Sequence, residues 1–369
     1  MSRVWKPGNQ LWSDPKRLNS ARLQTISPPA WICKGSLAAC QSCATSDATG
    51  SPALRWFMAK EDGNGMQAKA LGVVANAGSG RNSREKEAVE HAMKVFGPNA
   101  RLVYWEPETD RMADLIDELE AEGRDLIVAA GGDGTIMAVA SEMRDRKAAM
   151  GVLPLGTFNF FARGLGLPQE PQEAAEAILA GRAEKMSLGT VNGQVFLNNA
   201  SLGIYPSILK QREDVYERWG RYRLLAHWSV IKTFLGFQRP MSLSIVADGE
   251  RRDFRTPLLF VARSAYQIEH YGLEGAEAIN GDRFAMFVAK AEGRTGLFRL
   301  AWRLVSRRLE VGRDVTLIDA AEIEVELRQK TPLVAFDGEK ARMRAPLRFK
   351  ILKDAISVVM PRPEDEVSA

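Results

Sequence analysis

The sequence predicts an α/β protein in two parts, a doubly wound parallel sheet toward the N-terminus followed by a mainly β domain. Three observations carry this. Between residues 70 and 154 short apolar runs alternate with amphipathic segments, glycine-rich loops fall where the runs end, and after about residue 188 the alternation gives way to successive strands. At 369 residues the chain has room for two domains and a sizeable core.

The elements follow in order. ALGVVAN reads as a first strand. REKEAVEHAMKVF reads as a helix, with Asn82 as cap, Glu85 three residues later, Val89, Ala92, Met93 and Phe96 on one face, and Gly97 as the stop. RLVYW, LIVAA and GVLP are the next strands. DRMADLIDELEAEG and TIMAVASEM are the helices between them. Beyond residue 188, MSLSIVADGERRDF reads as two strands around an Asp248-Gly249 turn, and TPLLFVA, DRFAMFVA, AEIEVELR and LRFKIL continue the β pattern. Helical segments near 215–235 and 297–310 interrupt it.

Residues 1–66 lack helical or strand periodicity and are rich in Ser, Pro, Gly and Ala, so they are expected to be disordered or to precede the true start, with Met58 and Met66 as candidates. The expected domains are 67–188, to which 347–361 returns, and 189–346.

Composition excludes several classes. A net charge of +4 is small for this length, so no nucleic-acid partner is expected. No run of eighteen apolar residues and no secretory leader pattern is present, which predicts a cytoplasmic protein. Cys33, Cys40 and Cys43 all lie in the N-terminal segment, without an evident fourth ligand for zinc.

The chemistry lies in the loops. GGDGT, residues 131–135, stands between a strand and a helix. Its glycines let backbone approach a ligand, and the following amides open a helix end that favours anions. This suits a polyphosphate, with Asp133 as partner of a magnesium ion, its water shell or a ribose hydroxyl. NAGSG, residues 76–80, occupies the same position in the preceding strand–helix unit, and PLGTFNFFARGLG follows the fourth strand with Thr157 and Asn159 as donors. Neither of the first two loops matches a P-loop or a dinucleotide fingerprint.

Together NAGSG, GGDGT, PLGTFN, VNGQVFLNNASLG and FDGEKA resemble the diacylglycerol kinase catalytic-domain family, over residues 70 to about 361. That resemblance implies transfer of the ATP γ-phosphoryl group to a lipid hydroxyl, between an N-terminal α/β domain and a C-terminal β-sandwich. It places Asn76, Gly78, Ser79, Gly80, Thr109, Gly131, Gly132, Asp133, Gly134, Thr135, Thr157 and Asn159 where the family holds nucleotide. It also implies that Asp337, as metal ligand, and Glu339 serve magnesium and the acceptor hydroxyl; Asp133, a carboxylate in the glycine loop that could also face the acceptor, is the rival catalytic base. The chain departs from the family at Phe160 and Ser187, where aspartate is common, and around EAINGDRFAMF, so the structural magnesium site of some members is not expected. An NAD kinase-like enzyme with a soluble acceptor, or a non-catalytic nucleotide- or lipid-binding protein, is the alternative.

Asp-Gly-Glu occurs twice, at 248–250 and 337–339. The first is expected to be a plain hairpin turn, and the second is catalytic by resemblance alone. In LFRLAWRLVSRRLE, Arg299, Arg303 and Arg307 recur every fourth residue, a pattern suited to a peripheral membrane surface or to an ordinary surface helix. Whether the chain pairs as a homodimer stays open.

Overall fold

The structure, a computed structural model, describes residues 70–78, 83–204 and 240–362. Ser79, Gly80, Asn82, the segment 1–66 and the helical stretch expected near 215–235 lie outside the described residues.

The N-terminal half begins β1 (Leu71–Asn76), α1 (Ser83–Phe96), β2 (Arg101–Trp105), α2 (Met112–Ala121), β3 (Leu126–Gly131), α3 (Asp133–Glu142), β4 (Ala149–Pro154), α4 (Phe160–Gly164) and α5 (Pro171–Ala180). Four parallel strands stand in the order β2-β1-β3-β4. β3 and β4 are buried at every residue and β1 at all but its last, as continuous apolar runs require when helices cover both faces. β2 is only partly buried because it forms the edge. One face packs Val89, Ala92 and Phe96 of α1 and Ile178 of α5 on the sheet. The other packs Ile116 and Leu119 of α2 with Ile136 and Val139 of α3. α1 ends at Gly97 with φ +82°, the left-handed turn that favours glycine.

The chain continues through β5 (Arg182–Val191), β6 (Gln194–Phe196), β7 (Asn199–Gly203), β8 (Met241–Ala247), β9 (Glu250–Thr256), β10 (Leu258–Ala262), α6 (Ala265–His270), α7 (Ala276–Asn280), β11 (Phe284–Ala289) and α8 (Gly293–Val305). It closes with β12 (Val315–Ala320), β13 (Glu322–Leu327), β14 (Leu333–Phe336), β15 (Glu339–Arg342) and β16 (Leu347–Met360). A six-stranded antiparallel sheet runs β12-β11-β10-β7-β14-β15. Phe196 of β6, Phe284 of β11 and Phe349 of β16, all fully buried, join the two sheets with ring centroids 5.9 to 6.4 Å apart. The expected fold class, a parallel α/β part followed by an antiparallel β domain, is the observed one.

β16 ties the halves together. Its first residues pair antiparallel with β13, its later residues meet β4 in parallel at Val358↔Met150, and β5 runs antiparallel along both stretches. β5 passes residue 188 without a break. The Asp248-Gly249 turn is the expected hairpin, with φ +47° and +89° joining β8 to β9.

Candidate active site

Parallel strands deliver their following loops to one edge of a sheet, so the turns after β1, β2, β3 and β4 converge. β1 pairs with β3, and this is where the strand order reverses. Asn76 ends β1 and donates from Nδ2 to Thr135 Oγ1 at 3.4 Å, while its Oδ1 accepts the Gly78 N–H at 2.7 Å. The first and second loops are thus held together by side chains predicted for the site. Thr109, after β2, is exposed and donates to Asp110 Oδ1 at 3.1 Å.

The helix after β3 starts earlier than the apolar pattern suggested: α3 opens at Asp133, inside GGDGT, with Gly132 as cap. The glycines have different duties. A methyl on Gly131 would lie 2.6 Å from Thr135 Cβ, and one on Gly156 would lie 2.6 Å from Gly132 Cα, so these positions let the loops close on each other. A methyl on Gly134 would meet only Glu339 Oε1, at 3.8 Å. Gly134 is therefore the glycine whose absent side chain leaves room for something else.

Asp133 lies across this loop with its carboxylate on the N-terminus of α4. It accepts the Phe160 N–H at 3.2 Å, the Phe161 N–H at 3.1 Å and the Asn198 amide at 3.4 Å. Asn159, which precedes α4, makes no side-chain cap, so Asp133 supplies it from another loop. Asn159 is buried, in the left-handed region at φ +50°. It accepts Gly156 N–H at 2.9 Å and donates to Gln169 Oε1 at 3.2 Å, while Thr157 beside it is exposed. Its side chain holds the loop's shape; the expectation from sequence was a donor to ligand.

The β domain contributes two turns. Between β14 and β15, Asp337 and Gly338 take φ +45° and +93°, the same hairpin form as Asp248-Gly249. The Asp337 carboxylate turns inward and accepts N–H groups from Leu197 at 2.5 Å, Asn198 at 2.9 Å and Asn199 at 3.0 Å, pinning the corner between β6 and β7. Asp248 does the same for Ala321 and Glu322 and also pairs with Arg283, which together hold its carboxyl below the usual range. The expectation of a metal-facing Asp337 therefore meets a carboxylate already engaged by three main-chain donors. The next residue but one, Glu339, is exposed and is the carboxylate that faces Gly134.

Burial pushes the Asp337 carboxyl up to about 6 against the three N–H donors, with Asp133 nearby adding to the rise. In the unfolded chain the group titrates near 3.8. Between these values the folded state holds a proton that the unfolded state lacks, so the contribution is fully present below 3.8 and is lost as pH rises through about 6. The stability advantage of the native chain over Asp337→Asn is expected to shrink by about 1 kcal/mol between about pH 5 and about pH 7.5. Urea unfolding at the two pH values measures it, and a gap that widens or stays constant rejects this account.

Two features escaped the sequence reading. Asn198 is 2 % exposed and bridges the halves, its N–H on Asp337, its amide on Asp133, its carbonyl accepting from Arg263 and Ser264, and its Oδ1 without a hydrogen-bond partner. The doubled asparagine of FLNNASLG was the available signal. The second feature is aromatic. Phe158, 61 % exposed, stacks on Phe160 with centroids 5.6 Å apart, and Phe160 also meets His270 and Tyr271. Ser187 donates to Asp282 at 2.8 Å, and Asp282 is paired with the buried Arg263 guanidinium, which burial pulls below its ordinary range.

Among the described residues no three His, Cys, Asp or Glu side chains gather as a metal site. A magnesium ion carried by nucleotide phosphates asks for less, one or two protein oxygens with water completing the shell. Asp133, whose carboxylate accepts three hydrogen bonds and keeps lone-pair capacity beyond them, fits that smaller demand, and by the same count so does Asp337.

Fold and site together define a two-part α/β protein with glycine-rich loops gathered at the sheet's carboxyl edge and a β-domain carboxylate, Glu339, facing one of them. Residues 70–191 match the model of the diacylglycerol kinase catalytic domain. The chain is 30% identical over 249 residues to the diacylglycerol kinase of Bacillus subtilis, which covers 66% of this chain and 80% of that protein. It is 46% identical over 124 residues to a YegS-like lipid kinase of Pseudomonas aeruginosa, across 33% of this chain and 40% of the relative. A crystal structure of a diacylglycerol kinase from Bacillus anthracis shares the fold at TM-score 0.61 and 19% identity, covering 81% of this chain and 99% of the other. The chain belongs to the diacylglycerol kinase family.

Proposed function

We propose that the protein is a lipid kinase that transfers the γ-phosphoryl group of ATP to the hydroxyl of a diacylglycerol- or sphingosine-like acceptor. The observation that carries the reading is the Glu339 carboxylate beside Gly134, at the opening of the helix that follows the glycine loop. An anion-binding helix end with one open glycine suits a phosphate, and a facing carboxylate suits an acceptor hydroxyl. In this reading the amides at the start of α3 hold phosphate, Asn76 and Thr135 keep the first two loops in register, and Glu339 takes the acceptor proton as the oxygen attacks. Asp133 would hold magnesium, which supplies charge neutralisation when bound with the nucleotide. Asp337 is a positioning residue for the corner that carries Asn198. The relatives named above as lipid and diacylglycerol kinases support a lipid acceptor, and an acceptor dissolved in a bilayer calls for contact with the membrane surface.

Radiolabelled ATP offered with diacylglycerol, sphingosine, ceramide, phosphatidylglycerol, polyprenol and NAD tests the proposal; labelling of NAD alone, or of nothing, rejects it. Gly134→Ala tests the phosphate site itself. Its methyl meets no backbone and the helical conformation suits alanine, so melting is expected to stay unchanged. ATP binding is expected to weaken about tenfold or more, the equivalent of one lost charge-assisted hydrogen bond. Gly131→Ala, which collides with Thr135, should instead lower the melting temperature, and calorimetry with and without ATP separates the two.

A further inference from the structure

We infer that the outer face of α8 is the surface by which the protein docks on an anionic lipid bilayer. Three of the large apolar side chains exposed among the described residues lie on this helix: Phe298 at 42%, Trp302 at 71% and Val305 at 81%. Their spacing, i, i+4 and i+7, puts them on one side. The helix's packing needs are met elsewhere, since Leu297 is buried with Ile204 and Ala291, and Leu300 and Ala301 pack against the same cluster. Trp302 and Val305, the two most exposed of the three, take no part in that cluster.

Charge selects the occupant. No acidic residue occurs between Glu292 and Glu310, a stretch that contains Arg294, Arg299, Arg303, Arg307 and Arg308. The regular arginine strip read from sequence does not persist, because the helix ends at Val305, Arg307 takes φ +54°, and Arg303 folds onto Asp314 at 2.8 Å. The other four are exposed, and their guanidinium groups make no ion pair among the described residues. A second copy of the chain would bring the same arginines face to face across a two-fold contact. An anionic bilayer offers complementary charge around a shallow apolar layer, the depth at which tryptophan is favoured.

A chain of contacts also leads from this helix to the candidate site. Arg307, just past α8, lies against Gly272, whose neighbour Tyr271 meets Phe160, whose N–H is held by Asp133. The inference rests on the lipid-acceptor reading for its purpose, and its observations are independent of it.

Flotation with phosphatidylcholine vesicles, with and without about a quarter phosphatidylglycerol and in the absence of ATP, reads the docking directly. Trp302→Ser combined with Val305→Ser is expected to weaken partition about tenfold or more. Arg299→Glu with Arg308→Glu is expected to abolish the preference for phosphatidylglycerol and flatten the salt dependence. Trp302→Tyr should retain most of the binding. Wild-type partition by both double variants overturns the inference, and so does loss of self-association, by light scattering, with vesicle binding intact. Docking through α8 without labelling of any lipid would reject the kinase reading and leave this one standing; labelling of a water-dissolved short-chain acceptor by a chain that ignores vesicles would do the reverse.

Discussion

Glu339→Gln is expected to lower turnover by roughly 10²- to 10⁴-fold, the usual contribution of a positioned general base, while ATP affinity stays nearly unchanged. The substitution keeps the side chain's length and one acceptor oxygen, and Glu339 is exposed at the start of β15, so the fold has no reason to respond. Glu250→Gln is the matched control. It follows the other Asp-Gly turn of the same conformation, but its carboxylate pairs with Arg252 on the surface of the hairpin. Surface pairs of this kind contribute little, so turnover should be unaffected. Steady-state kinetics of both variants, with ATP binding measured separately, decides the matter: near-normal turnover in Glu339→Gln, or equal losses in the two, removes Glu339 from the chemistry.

Asp133→Ala should damage both turnover and the fold. From the loop alone, a carboxylate beside phosphates could be deleted without structural cost. The structure alters that expectation, because Asp133 accepts two main-chain N–H groups at the start of α4 and the amide of Asn198. Losing a helix cap and leaving partly buried donors unmatched costs about 1–3 kcal/mol. Asp133→Asn keeps one acceptor and removes the charge, so it should recover part of the stability while ATP binding in the presence of magnesium stays weak. Thermal melts and nucleotide titrations on the pair separate the two duties. Full activity in a folded Asp133→Asn chain would reassign Asp133 to holding α4, and loss of turnover with unaltered ATP affinity would make it the rival base.

The resemblance of Asp248 and Asp337 is instructive about what spacing conveys. Both stand in Asp-Gly-Glu hairpins with the same backbone conformation, and both turn a carboxylate onto the main chain of another strand. One lies at the surface with its carboxyl lowered, and the other is enclosed with its carboxyl raised to about 6. The shared Asp-Gly-Glu tripeptide does not distinguish them. What does is the partner each strand pair meets, Arg283 in one case and the β6–β7 corner with Asp133 beyond it in the other.

The alternation of apolar runs with amphipathic helices, the glycine stops and the Asp248-Gly249 turn sufficed to define the fold class, because these are local signals whose periods follow from backbone geometry. The gathering of three loops at one sheet edge was legible for the same reason, since parallel strands leave no other place for the turns that follow them. The rest depended on contacts between residues far apart in the chain. That Glu339 reaches Gly134, that Asn198 links Asp133 to Asp337, that Asn159 holds its own loop, and that Trp302 and Val305 face solvent while Leu297 does not, were all decided when β16 and β5 bound the two halves into one body. Periodicity states which faces of an element are apolar, and only packing determines which apolar face is covered and which carboxylate is left to meet a ligand.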